Sequence, residues 1–149
     1  MEIWLRRLVP PSIRWKAVTA VPTLPWVTPN PPRPGTQVLV MASRLEVRAL
    51  RDVPRFFVKS LAAWRQVRSA PGAVGASLVA RPLRRTFWTL SAWESREELN
   101  AYVRAEPHRS IMTSLRGVMK DSSFVFWESA AEDLPIEWAE ARRRLAEQA

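Results

Sequence analysis

The chain has 149 residues, 47% of them hydrophobic, with eight tryptophans and a formal net charge of +9; that is apolar material for one core, and two domains would each be marginal. There is no cysteine, and His108 is the one histidine, which excludes a disulfide framework, thiolate catalysis, iron–sulfur and cysteine zinc sites, and multi-histidine metal ligation within one chain. The basic charge is almost all arginine, dispersed apart from Arg81/Arg84/Arg85 and Arg142–Arg144, so a solvated surface is expected, with no nucleic-acid partner.

Residues 1–35 are proline-rich and carry neither a helical nor a strand period, so they read as an irregular, partly disordered arm. Trp26 is available to anchor its second part. The longest uncharged stretch, Ala17–Pro32, contains Pro22, Pro25, Pro29, Pro31 and Pro32. It can neither cross a membrane as a regular helix nor serve as a signal core, and a cytoplasmic protein with no membrane partner is expected. The abundance of arginine, alanine and valine suits a GC-rich bacterial genome. Val21 is an alternative natural start, since a bacterial GTG start codon reads internally as valine.

One domain is expected over 36–149. An apolar run from Gln37 that turns alternating up to Val47 predicts the first strand of this domain. Asp52 and Pro54 then open a helix whose Val53, Phe56, Phe57, Leu61, Trp64 and Val67 share one face, and Pro71-Gly72 ends it. Val74–Ala80 and Thr86–Trp93 read as two strands joined by a tight basic connection. The second alternates Phe87, Thr89, Ser91 and Trp93 against Thr86, Trp88, Leu90 and Ala92, so both of its faces call for cover. Ser95 with Glu98 forms a capping box for a further helix, with Leu99, Tyr102 and Val103 inward. Pro107 bends or restarts that helix, and His108, Ile111, Met112, Leu115 and Met119 continue its inner face. Phe124–Trp127 is a last strand, and Pro135 to about Glu147 a terminal helix.

The order β-α-β-β-α-β plus a helix is that of a ferredoxin-like α+β fold, with both main helices on one face of an antiparallel sheet. For the other face the chain offers only the arm and the last helix. A homodimer packed sheet to sheet, a dimeric α+β barrel, is the simplest cover.

The segment Thr86-Phe87-Trp88-Thr89-Leu90-Ser91-Ala92-Trp93-Glu94-Ser95, followed by Glu98-Leu99 and Glu106-Pro107-His108-Arg109, resembles the antibiotic-biosynthesis-monooxygenase superfamily of dimeric α+β barrels. Spheroidene-monooxygenase-like proteins share the pattern, which covers roughly Gln37 to Glu128. The resemblance implies a pocket between sheet and helices and a monooxygenase-like activity on an aromatic or polyene-type metabolite, cofactor-independent or heme-assisted. In heme-degrading members the first-strand asparagine, the helix tryptophan and the iron-binding histidine fall at Ser43, Tyr102 and Met112, and none is retained. His108 lies one turn before Met112 on the same face, and is the residue that would ligate a heme.

His108 suits proton transfer near neutrality; equally, a histidine at a helix start can bond a local carbonyl. Trp88 and Trp93 point to opposite faces, one expected in the pocket and one against the partner sheet. Tyr102 is a candidate hydrogen-bond donor, and Ser43 and Met112 are candidate pocket residues. The glutamates at helix ends, Glu97, Glu98 and Glu106, serve the dipole or the cap. Two functions stay open: a monooxygenase-like enzyme with His108 as catalytic residue and no required cofactor (heme being the alternative), or a non-catalytic ligand-binding or structural dimer.

Overall fold

The computed structural model describes residues 23–148; the start at Val21 lies outside the described residues. Strand β2 (Gln37–Val47) pairs antiparallel with β4 (Thr86–Trp93) on one side and with β5 (Met119–Ala130) on the other. Beyond β4 lie β3 (Ala73–Arg81) and then β1 (Thr23–Val27), giving the order β1-β3-β4-β2-β5. Without β1 this is the ferredoxin-like order, as the sequence predicts. The helices are α1 (Val53–Arg68), α2 (Arg96–Arg104), α3 (His108–Leu115) and α4 (Trp138–Gln148). None is long and apolar enough to cross a membrane.

Alternation along the strands divides the apolar residues into two sets. On one face Phe56 of α1 meets Phe87 of β4, their rings 4.4 Å apart, with Val47, Ala80, Ile111 and Leu115 around them. A second group on that face joins Val67, Ala73, Ala76, Trp93 and Leu99. On the opposite face Val38, Val40, Ala42, Leu90, Ala92 and Val125 are buried against Ile136, Ala141 and Leu145. Here the Ser77 hydroxyl donates to the Leu24 carbonyl at 2.8 Å and accepts from Trp138 Nε1 at 3.1 Å. One side chain of β3 therefore ties the edge strand and the terminal helix together.

Four sequence expectations change. Residues 23–27, placed in the irregular arm, form an edge strand. Its one proline, Pro25, is tolerated because an edge needs donors on one side only, and Trp26 is its anchor, lying over Gly75. The last strand begins at Met119, so Met119 leaves the helix stripe. The polar stretch 120–123 has no apolar signal of its own, but it pairs with the far end of β2, where Lys120–Glu46 and Arg44–Asp121 ion pairs join the strands. Asp52 ends a 3₁₀ turn, Leu50–Asp52, and makes no side-chain cap bond. The sheet face assigned to a second copy is covered within the chain by α4 and the turn before it. That cover needs a short helix with apolar residues three and four apart, which Trp138, Ala141 and Leu145 supply.

A Cβ at Gly75 would stand 1.8 Å from Trp26 Cζ2, so Gly75→Ala forces β1 and its tryptophan to move. Destabilisation of roughly 1–3 kcal/mol is expected in denaturant titrations. In a Trp26→Ala background the same change should cost almost nothing, because the obstructing ring is gone.

Candidate functional site

Between the two core groups on the helix side lies a cavity of about 400 Å³, within the range of small-molecule sites. The β2–β4 register makes its floor. Ser43 stands opposite Thr89 and Met41 opposite Ser91, so three hydroxyls line one face of two adjacent strands. Helix α1 contributes Phe56, Lys59, Ser60, Ala63, Trp64 and Val67 to the wall, and α2 and α3 contribute Tyr102, His108 and Ile111. Arg96, Met112, Phe124 and Phe126 line the exposed side; the last three are 39%, 43% and 40% exposed.

The floor can donate hydrogen bonds. Ser43 and Thr89 share one hydrogen bond, which uses one of their two hydroxyl hydrogens. Trp93 Nε1 donates to Ser91 Oγ at 2.9 Å, leaving the Ser91 hydrogen for another acceptor. The pair and Ser91 thus each keep one O–H for a ligand. Ser43 is 1% exposed, so an acceptor reaching it is shielded from water.

The aromatic wall is committed to itself. Trp93 packs against Tyr102 at 5.0 Å and Tyr102 against His108 at 4.8 Å between ring centres. Tyr102 donates its hydroxyl to the Ala63 carbonyl at 2.9 Å, and burial pushes its pKa well above the ordinary phenol value. It is a neutral strut between α2 and α1. Gln66 of α1 fixes the break between α2 and α3: its amide nitrogen donates to the Tyr102 carbonyl at 3.0 Å and its oxygen accepts from the His108 backbone N–H at 2.8 Å.

The imidazole is held the same way. His108 Nδ1 lies 3.1 Å from the Val103 carbonyl oxygen. A carbonyl only accepts, so this bond puts the hydrogen on Nδ1 and leaves the lone pair on Nε2. Burial lowers the pKa of His108 below its ordinary value of 6.5, and the Val103 bond offsets part of that effect. At neutral pH the side chain is a neutral base.

Five of the six sequence candidates converge on the cavity: Ser43, Trp93, Tyr102, His108 and Met112. Trp88 does not and is removed from the pocket candidates: of the two tryptophans expected on opposite faces, Trp93 is the one in the cavity. Its neighbours along β4 turn it to the opposite face, where the guanidinium carbons of Arg44, Arg81 and Arg142 lie 5.5 to 6.0 Å from its ring. Of the polar lining residues, Thr89, Ser91, Lys59, Ser60, Arg96 and Asn100 are not among the sequence candidates. Thr89 and Ser91 shared an alternation with Trp93 and were open to inference from it; nothing in the pattern distinguished Lys59.

Among the described residues no group of three or more His, Cys, Asp or Glu is placed to hold a metal ion. For a heme, the donor set is one imidazole, and the Nδ1–carbonyl bond is the orienting contact an axial ligand requires. His108 fits that role by its chemistry.

No family model and no curated protein matches the sequence. Solved structures do match in fold. A candidate antibiotic biosynthesis monooxygenase from Nitrosomonas europaea aligns over 62% of this chain and 89% of its own, with a TM-score of 0.57 and 13% identity. SnoaB, a cofactor-independent oxygenase from Streptomyces nogalater, aligns over 68% of this chain and 100% of its own, with a TM-score of 0.51 and 16% identity. A conserved protein from Methanosarcina mazei aligns over 62% and 92%, with a TM-score of 0.55 and 12% identity. The chain has the fold of antibiotic biosynthesis monooxygenases.

The lowered pKa of His108 links stability to pH in a definite direction. The folded state holds its neutral form and resists protonation, so this contribution is complete above the unfolded pKa near 6.5 and is lost as pH falls through the lower folded value. His108→Phe should remove that dependence: melting temperatures of the two proteins should differ in pH response on the acid side of 6.5 and run parallel above it.

Proposed function

We propose that this protein is an oxygenase-type, small-molecule pocket protein that acts on an aromatic or polyene metabolite without a bound cofactor, with His108 as its base. The observation that carries this reading is the neutral imidazole in the cavity wall, its Nδ1 spent on the Val103 carbonyl, beside a floor with two hydroxyl hydrogens to give. The fold it shares with SnoaB, a cofactor-independent oxygenase, supports it.

The chemistry follows from these groups. His108 Nε2 takes a proton from a substrate carbon acid, a CH₂ activated by a neighbouring carbonyl or phenol. The charge that develops on the substrate oxygen is met by a hydroxyl of the floor. The substrate anion, kept from bulk water, is itself the reductant: it forms a C–O bond to O₂, and His108 returns its proton to the terminal oxygen. Loss of the second C–H proton with cleavage of the O–O bond leaves a carbonyl and one water. The CH₂ and O₂ thus account for every atom and electron. Were heme bound instead, His108 Nε2 would hold it, and the heme would supply oxygen activation.

A ligand-binding protein without catalysis is the second reading, favoured by the internal commitment of the Tyr102 hydroxyl and the Trp93 indole. Self-association as a homodimer belongs to either reading. The exposed apolar surface that invites it is the helix-side face of edge strand β5, where Phe124 and Phe126 stand at the open side of the cavity, rather than the face beneath α4.

Oxygen uptake with a panel of phenolic substrates, alongside the visible spectrum, tests the proposal. The wild type should consume oxygen without a Soret band. His108→Phe should fold with an unchanged circular dichroism spectrum and lose turnover by roughly 10²-fold or more. A Soret band in the purified wild type would move the chemistry to heme, and an inert wild type that still binds the phenols would establish the second reading.

A further inference from the structure

Among the described residues the cavity lining contains no aspartate and no glutamate, yet it contains two cations, Lys59 and Arg96. Lys59 is half-buried on α1. One turn earlier, Arg55 donates to the Ser114 carbonyl of α3 at 3.4 Å, and two turns later Gln66 bonds to Tyr102 and His108. Residues at these spacings share a helix face, so Lys59 stands in the wall where α1 meets the other two helices. None of the ion pairs among the described residues involves it. Lys120, by contrast, pairs with Glu46 at 3.5 Å. Arg96, at the exposed side, lays its guanidinium 4.5 Å from the Phe126 ring centre and pairs with no carboxylate among the described residues.

An ammonium drawn partly out of water against an apolar cavity is costly unless an opposite charge reaches it. A low-dielectric cleft lined by one sign of charge also concentrates ligands of the other sign. Resting on the reading of the cavity as a small-molecule site, we infer that its ligand is an anionic amphiphile: an apolar, unsaturated body carrying one carboxylate. The carboxylate pairs with Lys59, and Arg96 draws the anion in from solvent. The body lies along the Ser43, Thr89 and Ser91 floor, within the reach of the His108 wall. The two cations set the substrate class, and the hydroxyls and imidazole act on the other end.

N-phenyl-1-naphthylamine, neutral and fluorescent in apolar surroundings, reports occupancy of the cavity, and 2-naphthoate and its isostere 2-naphthamide compete with it. In the wild type the carboxylate should displace the reporter at a concentration roughly tenfold or more below the amide. Lys59→Met should keep reporter binding and bring the two competitors together, Lys59→Arg should retain the preference, and Lys120→Met, which removes one remote positive charge, should leave it intact. Equal competition in the wild type overturns the inference while the cavity reading stands. So does a preference unchanged in Lys59→Met, or one lost equally in Lys120→Met. A wild type that does not bind the reporter overturns both.

Discussion

The pairing of β2 with β4 governs the rest of the structure. With Ser43 opposite Thr89, every second residue of the two strands turns toward the three helices. The alternate residues Val40, Ala42, Leu90 and Ala92 turn toward α4. A slip of one residue would put the hydroxyls into the α4 core and the valine and leucine into the cavity. The register therefore decides at once which face is sealed with apolar contacts and which keeps polar groups beneath open space. The Ser43–Thr89 hydrogen bond supports that register locally, giving each of the two hydroxyls a partner in the other.

Each of the two faces has a different job because of what covers it. Beneath α4 the tryptophans fill space, and Ser77 is fully engaged between Leu24 and Trp138. On the helix side the aromatic residues form a fixed wall instead. Trp93, Tyr102 and His108 pack in sequence with tilted rings, and the Trp93 Nε1, Tyr102 hydroxyl and His108 Nδ1 are spent on Ser91, Ala63 and Val103. What remains available to a ligand among the described residues is little: two hydroxyl hydrogens, one imidazole lone pair, the Asn100 amide and two cations. Those few groups limit the chemistry to proton transfer, hydrogen bonding to an oxygen and pairing with an anion. An activated substrate reducing oxygen by its own electrons is within that reach.

Much of this arrangement was legible in the sequence. The three- and four-residue spacing of Phe56, Trp64 and Val67 gave α1 its buried side, and the alternation of Phe87, Thr89, Ser91 and Trp93 marked β4 as a two-faced strand. Which face is which cannot be read from β4 alone, so Trp88 and Trp93 are equal pocket candidates in the sequence. The choice depends on where α4 lands, a contact far away in the chain. The edge strand at Thr23–Val27 was hidden by Pro25 and the prolines around it in the sequence, and the first half of β5 by polar residues whose order comes from pairing with β2. His108 was found because histidine is rare here and chemically distinctive; Lys59 was passed over because a lysine on an amphipathic helix ordinarily faces solvent.

The central claim is that one sheet face is sealed and the other holds the ligand. Titration of ¹⁵N-labelled protein with naphthalene tests it most directly, because the indole N–H signals of the tryptophans sample both faces. Resonances of the Trp93 indole and of the Ser43, Thr89, Ser91 and His108 amides should shift together, while the indoles of Trp26, Trp127 and Trp138 stay in place. Shifts centred on Trp26, Trp127 and Trp138, with Trp93 unmoved, would contradict it.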